Sequence, residues 1–329
     1  MQRLDQQHLQ STKTYTQRTS NMANDQQPDI KSVFEPKTGT WQYIVADPAT
    51  KDAVIIDSVL DYDSATSTIT TESANNLLSV VDSNNFNVVA ILETHAHADH
   101  LTASRYLQQK LLRSGKPKAS ICIGKRIESV QHTFARKYGI DEAEYVGVFD
   151  KLLDDDELIP LGKLSIHVMH LPGHTPDHVG YKVGSNIFTG DSIFLPDVGT
   201  ARCDFPGGDA RALYRSMQKL LALPPDLRLY SGHDYPPKDR IEGPQPFATV
   251  ADEKARNLHV HDGVTEEQFV EWRHKRDETL AEPKLIHQAL QFNIRAGQLP
   301  RTNDHGHRFV HVPLKVPEEE WTWGNAPQG

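Results

Sequence analysis

Cysteine is nearly absent: Cys122 and Cys203 are the only two in 329 residues. A disulfide framework is thereby excluded, and a reducing, intracellular, cytoplasmic setting is expected. Long apolar runs are missing as well. No segment nears the roughly 18 consecutive apolar residues of a membrane span, so no membrane partner is expected. Positive charge is in deficit, with 35 Lys and Arg against 44 Asp and Glu and a net charge of −9. That argues against a nucleic-acid surface and suits small-molecule work. What is present is a globular composition, 37% hydrophobic and 24% charged, sufficient for one large domain or two small ones.

Residues 1–28 are rich in Gln, Ser, Thr and Asn, with little apolar beyond Leu4 and Leu9. So polar a segment buries too little surface to fold alone, and a disordered tail is expected. Arg3, Lys13 and Arg18 make it a weak transit-peptide candidate, which keeps a mitochondrial destination as the alternative.

From Trp41 the pattern changes. Trp41, Tyr43 and Val45 predict a half-buried strand, and Ala53–Ile56 a second. Ala74, Leu77, Leu78 and Val81 fall at i, i+3, i+4 and i+7, the stripe of an amphipathic helix. Val88–Leu92 and Ser120–Ile123 read as buried strands, with Cys122 as inert core. Glu128–Tyr138 reads as a helix and Asp154–Asp156 as a solvated turn. Ile166 and Val168, then Val179, Tyr181 and Val183, predict further strands, and Gly184-Ser185 turns the chain into Asn186–Thr189. Asp209 is placed to cap a helix bearing Leu213, Met217 and Leu220, which Pro224-Pro225 must end. Leu227–Tyr230 is one more short strand. Strands with interspersed helices point to an α+β fold, two sheets packed face to face and flanked by helices. Further on, Thr265–Gln268 carries a capping box before Phe269 and Trp272. Pro283 suits the first turn of a helix through Leu285, Ile286, Ala289 and Leu290. The expected organisation is a tail over 1–28, a catalytic domain over 29–245, and a helical extension over 246–329 packed on the core.

Chemistry concentrates in Thr94-His95-Ala96-His97-Ala98-Asp99-His100, which follows the Val88–Leu92 strand. Leu101, Ala103, Tyr106, Leu107 and Leu111 come next at near-helical spacing. In an extended turn His95 and His97 point the same way, while Asp99 and His100 open the helix and face back. Desolvating such a cluster without partners costs on the order of several kcal/mol, and a divalent cation offsets it. A histidine-rich surface loop is the plain alternative. Three later fragments also follow predicted strands. They are Gly173-His174-Thr175-Pro176, Thr189-Gly190-Asp191, where glycine permits close approach, and Gly232-His233-Asp234-Tyr235. Each alone is an ordinary loop; in this order they are a strong metal-site signal.

The order of fragments resembles the metallo-β-lactamase superfamily over residues 31–245. The resemblance implies an αββα sandwich with metal at one edge, here with a C-terminal helical extension. Asp191 stands where the zinc β-lactamases carry Cys, which disfavours antibiotic hydrolysis. Ala96 stands where flavodiiron proteins have an acidic ligand. Within the superfamily, Gly199-Thr200-Ala201-Arg202-Cys203-Asp204-Phe205-Pro206-Gly207-Gly208 resembles a loop of the persulfide dioxygenases, also called sulfur dioxygenases. Tyr235 matches their His-Asp-Tyr motif, and Asn293–Pro300 is similar to a run in bacterial and fungal members. A further cysteine of the animal enzymes has no match at Cys122 or Cys203.

The resemblance implies one Fe(II) per chain on His95, His174 and Asp191. Glutathione persulfide and O2 would give sulfite and glutathione, a step of hydrogen sulfide detoxification. Arg202, Asp204 and Tyr235 would bind substrate, Arg202 through a bidentate pair with a carboxylate, and Arg202 and Tyr235 would also serve catalysis. His97, Asp99, His100 and His233 would orient the ligands. Without the resemblance, Arg202 and Asp204 read as a salt bridge bracing their loop. Cys203 reads as a reactive thiol or a packed side chain, and His170 and His178 as surface or supporting groups. The rival is a hydrolase resembling glyoxalase II that cleaves a glutathione thioester with two Zn ions. One would sit on His95, His97 and His174, the other on Asp99, His100 and His233, with Asp191 as a bridge. Ligand inventory suits both; the Arg202 loop and the Asn293–Pro300 run favour the dioxygenase. A homodimer stays open.

Overall fold

The computed structural model describes residues 26–317. Two six-stranded sheets are each built in chain order. The first holds β1 (Asp29–Glu35), β2 (Thr40–Ala46), β3 (Asp52–Ile56), β4 (Asn87–Leu92), β5 (Ser120–Gly124) and β6 (Lys151–Leu153). Its first three strands form an antiparallel meander, and from β3 onward neighbours run parallel. Parallel neighbours need crossovers, supplied by α1 (Glu72–Ser83), α2 (Ser104–Arg113) and α3 (Ile127–Tyr138). The second sheet holds β7 (Leu158–Leu161), β8 (Leu164–His170), β9 (Val179–Val183), β10 (Asn186–Gly190), β11 (Arg228–Ser231) and β12 (Phe247–Thr249). It is antiparallel except at β10/β11, which α4 (Ala210–Leu221) connects. Then come α5 (Val250–Arg256), α6 (Glu266–Asp277) and α7 (Ile286–Asn293). Among the described residues no helix is long and apolar enough to cross a membrane.

Tyr43, Val45, Val54, Ile56 and Leu92 of the first sheet meet Val168, Val179, Tyr181 and Phe188 of the second in the central core. The opposite face of the first sheet, with Ile44, Ile55 and Ile91, packs on Leu77 of α1, Leu107 of α2 and Phe292 of α7. Each such side chain stabilises the fold by about 1.5–3 kcal/mol. This layering corrects one expectation. All seven residues of β2 are buried, not alternate ones, because the strand carries the central core on one face and helices on the other.

Other expectations shift locally. The segment after His100 does not enter a helix directly. Leu101 and Thr102 first pair with Leu60 and Val59, and α2 starts at Ser104. Thr102 donates its N–H to Asn293 Oδ1 at 2.9 Å, a tertiary bond that outweighs local helical spacing. Pro283 precedes α7 and accepts the N–H of Ile286 at 3.1 Å. Asp154–Asp156 form the expected turn, but Lys125, Arg126 and His167 each pair with one of the three. The capping roles of Asp209 and Thr265 hold. Strands β1, β6, β7 and β12 and helix α5 had no clear periodicity to announce them. Of the polar tail, residues 1–25 lie outside the described residues. Gln26 bonds Asp47 at 3.2 Å, and Gln27 accepts the N–H of Ser185 at 3.0 Å, so these two residues of the expected tail are held by the folded chain.

Candidate metal centre

Loops that leave strand ends of both sheets meet at one edge of the sandwich. The stretch from Glu93 to His100 leaves β4, His174 lies in the loop after β8, Asp191 directly follows β10, and His233 follows β11. Gly190 makes the convergence possible. Its φ is +49°, and a Cβ there would stand 2.6 Å from Thr94 Oγ1 and 2.7 Å from His178 Nε2. Helix α7 clamps the first loop from outside: Asn293 Nδ2 donates to the carbonyls of His97 (2.7 Å) and His100 (2.8 Å).

Hydrogen bonds then fix each ring. Thr94 donates its N–H (2.7 Å) and its hydroxyl (2.9 Å) to Asp57. With that hydroxyl proton committed, Thr94 Oγ1 accepts from His95 Nδ1 at 3.0 Å, which leaves the Nε2 lone pair of His95 free. His174 Nδ1 donates to the carbonyl of Arg202 at 2.7 Å, so its Nε2 is also free, 3.6 Å from Asp191 Oδ2. Partners on the far ring nitrogen are how metal-binding histidines are oriented. Burial, and then His97, pushes the His95 pKa well below the ordinary histidine value, so its ring is neutral. His97 is gripped at Nε2 by two buried carboxylates, Asp57 at 3.1 Å and Glu93 at 3.3 Å. Burial opposes its charge, but Asp57 and Glu93 outweigh it and hold its pKa well above the usual range. Asp99 lies 3.2 Å from His100 Nδ1 and 3.3 Å from His233 Nε2. Despite burial, His233 and His100 keep that carboxylate ionised.

His95 Nε2, His97 Nδ1, His100 Nε2 and Asp191 Oδ1 are buried without a hydrogen-bond partner. Lone pairs left without a partner, as at His95 Nε2 and Asp191 Oδ1, are costly in a protein interior, and a cation would satisfy them. One ligand atom each from His95, His174 and Asp191 lies within 4.8 Å of the others. Two donors at ~2.1 Å from one ion stand about 3–4 Å apart, and His174 Nε2 and Asp191 Oδ2 stand 3.6 Å apart. His97, Asp99 and His100 form a second such group, and Asp57, Glu93 and His97 a third.

Above this floor lies a cavity of about 490 Å³, within the range of small-molecule clefts. Asp99, His174, Asp191 and His233 line its base, and Tyr235 and Arg202 its sides. Tyr235 stacks on His233, with ring centroids 5.5 Å apart and planes 8° apart. Partial burial, then Asp99 and Asp191, raises the phenol pKa of this half-exposed residue, so its hydroxyl keeps its proton. Arg202 lines the cavity, but its guanidinium pairs bidentately with Asp204 and donates to the carbonyl of Ala281 at 2.8 Å. Asp204 itself does not line the cavity. Cys203 is buried, and burial raises its thiol pKa. Cys122 is core, its thiol pushed up to about 12 by burial. His178 is fully buried, not a surface group, and accepts the N–H of Asp191 at 3.0 Å.

Several site residues carried no sequence signal. Asp57 and Glu93 are single acids at strand ends; only the fold brings them to His97. Asp177, which accepts the N–H of Ala96 at 2.9 Å, adjoins Gly173-His174-Thr175-Pro176 and was within reach of a longer motif. His259, Trp272, Arg273 and Arg276 form an outer wall of the cavity. Trp272 reads from spacing as a helix's core residue, and its true neighbour, His259, lies in another loop.

Comparison with known proteins agrees with this architecture. The profile of the Metallo-beta-lactamase superfamily matches residues 36–233. The chain is 43% identical over 297 residues to a probable metallo-hydrolase of Burkholderia pseudomallei, covering 87% of this chain and 98% of that protein. It is 40% identical over 296 residues to glyoxylase B2 of Dictyostelium discoideum, covering 89% and 98%. Identity to the mitochondrial persulfide dioxygenase ETHE1 of Homo sapiens is 29% over 271 residues, covering 82% and 88%. Among solved structures, ETHE1 from Myxococcus xanthus superposes with a TM-score of 0.65 at 27% identity, covering 82% of this chain and all of that one. With its αββα layers and its histidine and aspartate cluster at one sheet edge, the chain belongs to the metallo-β-lactamase superfamily.

Proposed function

We propose that this protein is an iron-dependent persulfide dioxygenase acting on glutathione persulfide. The observation that carries the reading is the triad of His95, His174 and Asp191, whose ligand atoms lie within 4.8 Å of one another. Two imidazoles and one carboxylate form the donor set of non-haem iron oxygenases. Bound there, ferrous iron would supply open positions and the electrons that activate O2. The Arg202 loop and the 29% identity to a persulfide dioxygenase support the same choice.

The reaction converts glutathione persulfide, O2 and water into glutathione and sulfurous acid, which ionises to sulfite. The S–S bond breaks, the outer sulfur is oxidised, O2 is reduced, and the inner sulfur leaves as the thiol of glutathione. Within the chain, Thr94 and Asp57 hold the His95 ring, and the Arg202 carbonyl holds His174. Tyr235 presents a protonated hydroxyl beside the floor and donates to the bound sulfur or to the peptide of the substrate. His97, Asp99, His100 and His233 keep the surrounding rings and carboxylates in register.

A second reading has its own support. His97 Nδ1 and His100 Nε2 are orphaned like His95 Nε2, and a relative at 40% identity is named a glyoxylase. That reading is a dinuclear zinc hydrolase of glutathione thioesters, in which His95, His97 and His174 would hold one ion, Asp99, His100 and His233 the other, and Asp191 would serve both. The two divide on metal analysis of protein purified without chelators, paired with oxygen uptake on adding glutathione persulfide. One iron per chain and oxygen consumption faster than thioester cleavage are expected. Two zinc ions per chain with rapid thioester hydrolysis would overturn the dioxygenase.

A further inference from the structure

Three arginines line the cavity, Arg202, Arg273 and Arg276. Two are committed to bracing. Arg202 holds Asp204 and the Ala281 carbonyl. Arg273 is buried and donates to the Ala201 carbonyl (3.2 Å) and to Asp277 (2.5 Å), with its guanidinium 4.7 Å from the Trp272 ring centroid. Arg276 is different. It is exposed on α6, and among the described residues its guanidinium makes one hydrogen bond, from Nη1 to the Thr279 hydroxyl at 3.0 Å. A guanidinium has five N–H donors in a planar fork, so most of the donors of this lining residue are unengaged among the described residues.

The wall beside it is built to a close fit. The His259 and Trp272 rings lie with centroids 3.7 Å apart, and Thr200 Oγ1 is 3.4 Å from His259 Nδ1. Gly199 makes room for them: at φ +96°, a Cβ there would stand 2.0 Å from His259 Nδ1. The lining therefore carries the carboxylates of Asp99 and Asp191 and, among its arginines, one guanidinium without a carboxylate partner, that of Arg276. A ligand with a carboxylate at one end is oriented by that contrast, its carboxylate towards Arg276.

We infer that Arg276 is the carboxylate anchor of this pocket, and that the substrate is a thiol carrier whose carboxylate lies at the opposite end from its sulfur. The glycine carboxylate of glutathione meets that description. The identity of the reacting sulfur rests on the persulfide reading above; the anchor rests on the wall. A bidentate Arg–carboxylate pair forms with little competition from the Thr279 hydroxyl, and a side chain exposed before binding is free to reach its ligand.

The test compares glutathione persulfide with the persulfide of glutathione glycine monoethyl ester, in the unmodified protein and in Arg276→Ala and Arg276→Lys. The unmodified protein should show a KM about ten-fold or more higher for the ester, the loss typical of a charge-assisted hydrogen bond. Arg276→Ala should raise KM for the acid by a similar factor and cease to distinguish acid from ester, with iron content unchanged. Arg276→Lys should fall between, keeping the charge and losing the fork. Calorimetric titration with glutathione itself should show the same weakening in Arg276→Ala without any turnover. If Arg276→Ala binds glutathione as tightly as the unmodified protein, or still prefers acid to ester by the original ratio, the anchor is wrong. If the protein takes up no oxygen but hydrolyses a glutathione thioester, the dioxygenase reading falls, and the glutathione titration still decides Arg276.

Discussion

The base of the cavity and its outer wall are made in different ways. At the base, imidazoles and carboxylates from four loops are buried together, and each ring is aimed by a second residue behind it. Thr94 and Asp57 aim His95, the Arg202 carbonyl aims His174, and Asp57 and Glu93 hold His97. The wall is assembled from residues 198–202 and 259–283, where side chains brace one another and leave one guanidinium open. The comparison teaches that a base of desolvated ligands tolerates almost no substitution, since every polar atom there needs its partner. A wall at the solvent boundary is instead read through binding strength and tolerates change.

The largest effect should come from attacking the base at its ligands. His95→Ala, His174→Ala and Asp191→Ala should each abolish iron binding by metal analysis, because a three-donor site cannot lose a member cheaply. The neighbouring groups sharpen the contrast. Asp99→Ala and His233→Ala should keep about one iron per chain and lower activity roughly 10- to 100-fold, the usual loss for groups behind the ligands. Halved metal content in those two variants would instead merge the groups into one dinuclear centre.

A smaller effect is expected beneath the wall. Glu253 of α5 is buried and accepts from Asn257 at 2.7 Å, while Asn257 Oδ1 accepts the N–H of His259 at 2.9 Å. Burial raises the Glu253 pKa from 4.5 to about 8. Below pH 4.5 both folded and unfolded chains hold this proton, and its stabilising effect is complete. As pH rises towards 8 only the folded chain retains it, so stability falls across that window. Glu253→Gln removes this dependence and keeps an acceptor for Asn257. Thermal melts at pH 9 should show the variant more stable than the unmodified protein by on the order of 2 kcal/mol, with little difference near pH 5. Equal melting at both values would mean that Glu253 ionises normally.

The smallest effect lies outside both regions. Glu266 of α6 pairs with Arg211 (2.8 Å) and Arg215 (3.1 Å) of α4, whose side chains are 51% and 71% exposed. Glu266→Ala should leave the denaturation midpoint almost unchanged, because exposed ion pairs contribute little. A larger loss would show that the α4–α6 contact, and with it the placement of the wall, depends on this cluster.

What the sequence alone determined is the base. The residues that converge at one sheet edge come from short segments after strands, so His95, His174, Asp191 and His233 stand out by type, by spacing and by following strands. The face-to-face sheets were legible too, because Tyr43, Val45, Val179 and Tyr181 alternate and Leu77 sits on a helical stripe. Full burial of β2 was not legible, since a strand covered on both faces loses the polar half of its pattern. Before α2, Leu101 and Thr102 pair with Leu60 and Val59, and the Thr102 N–H goes to Asn293, almost two hundred residues away; neither partner was legible locally. The Arg202–Asp204 brace was legible as a local pair, whereas the Ala281 carbonyl on Arg202 and the open guanidinium of Arg276 were tertiary matters. The base is written in local spacing because its residues sit on short segments after strands; the substrate wall is not, because its contacts join parts of the chain that share no period.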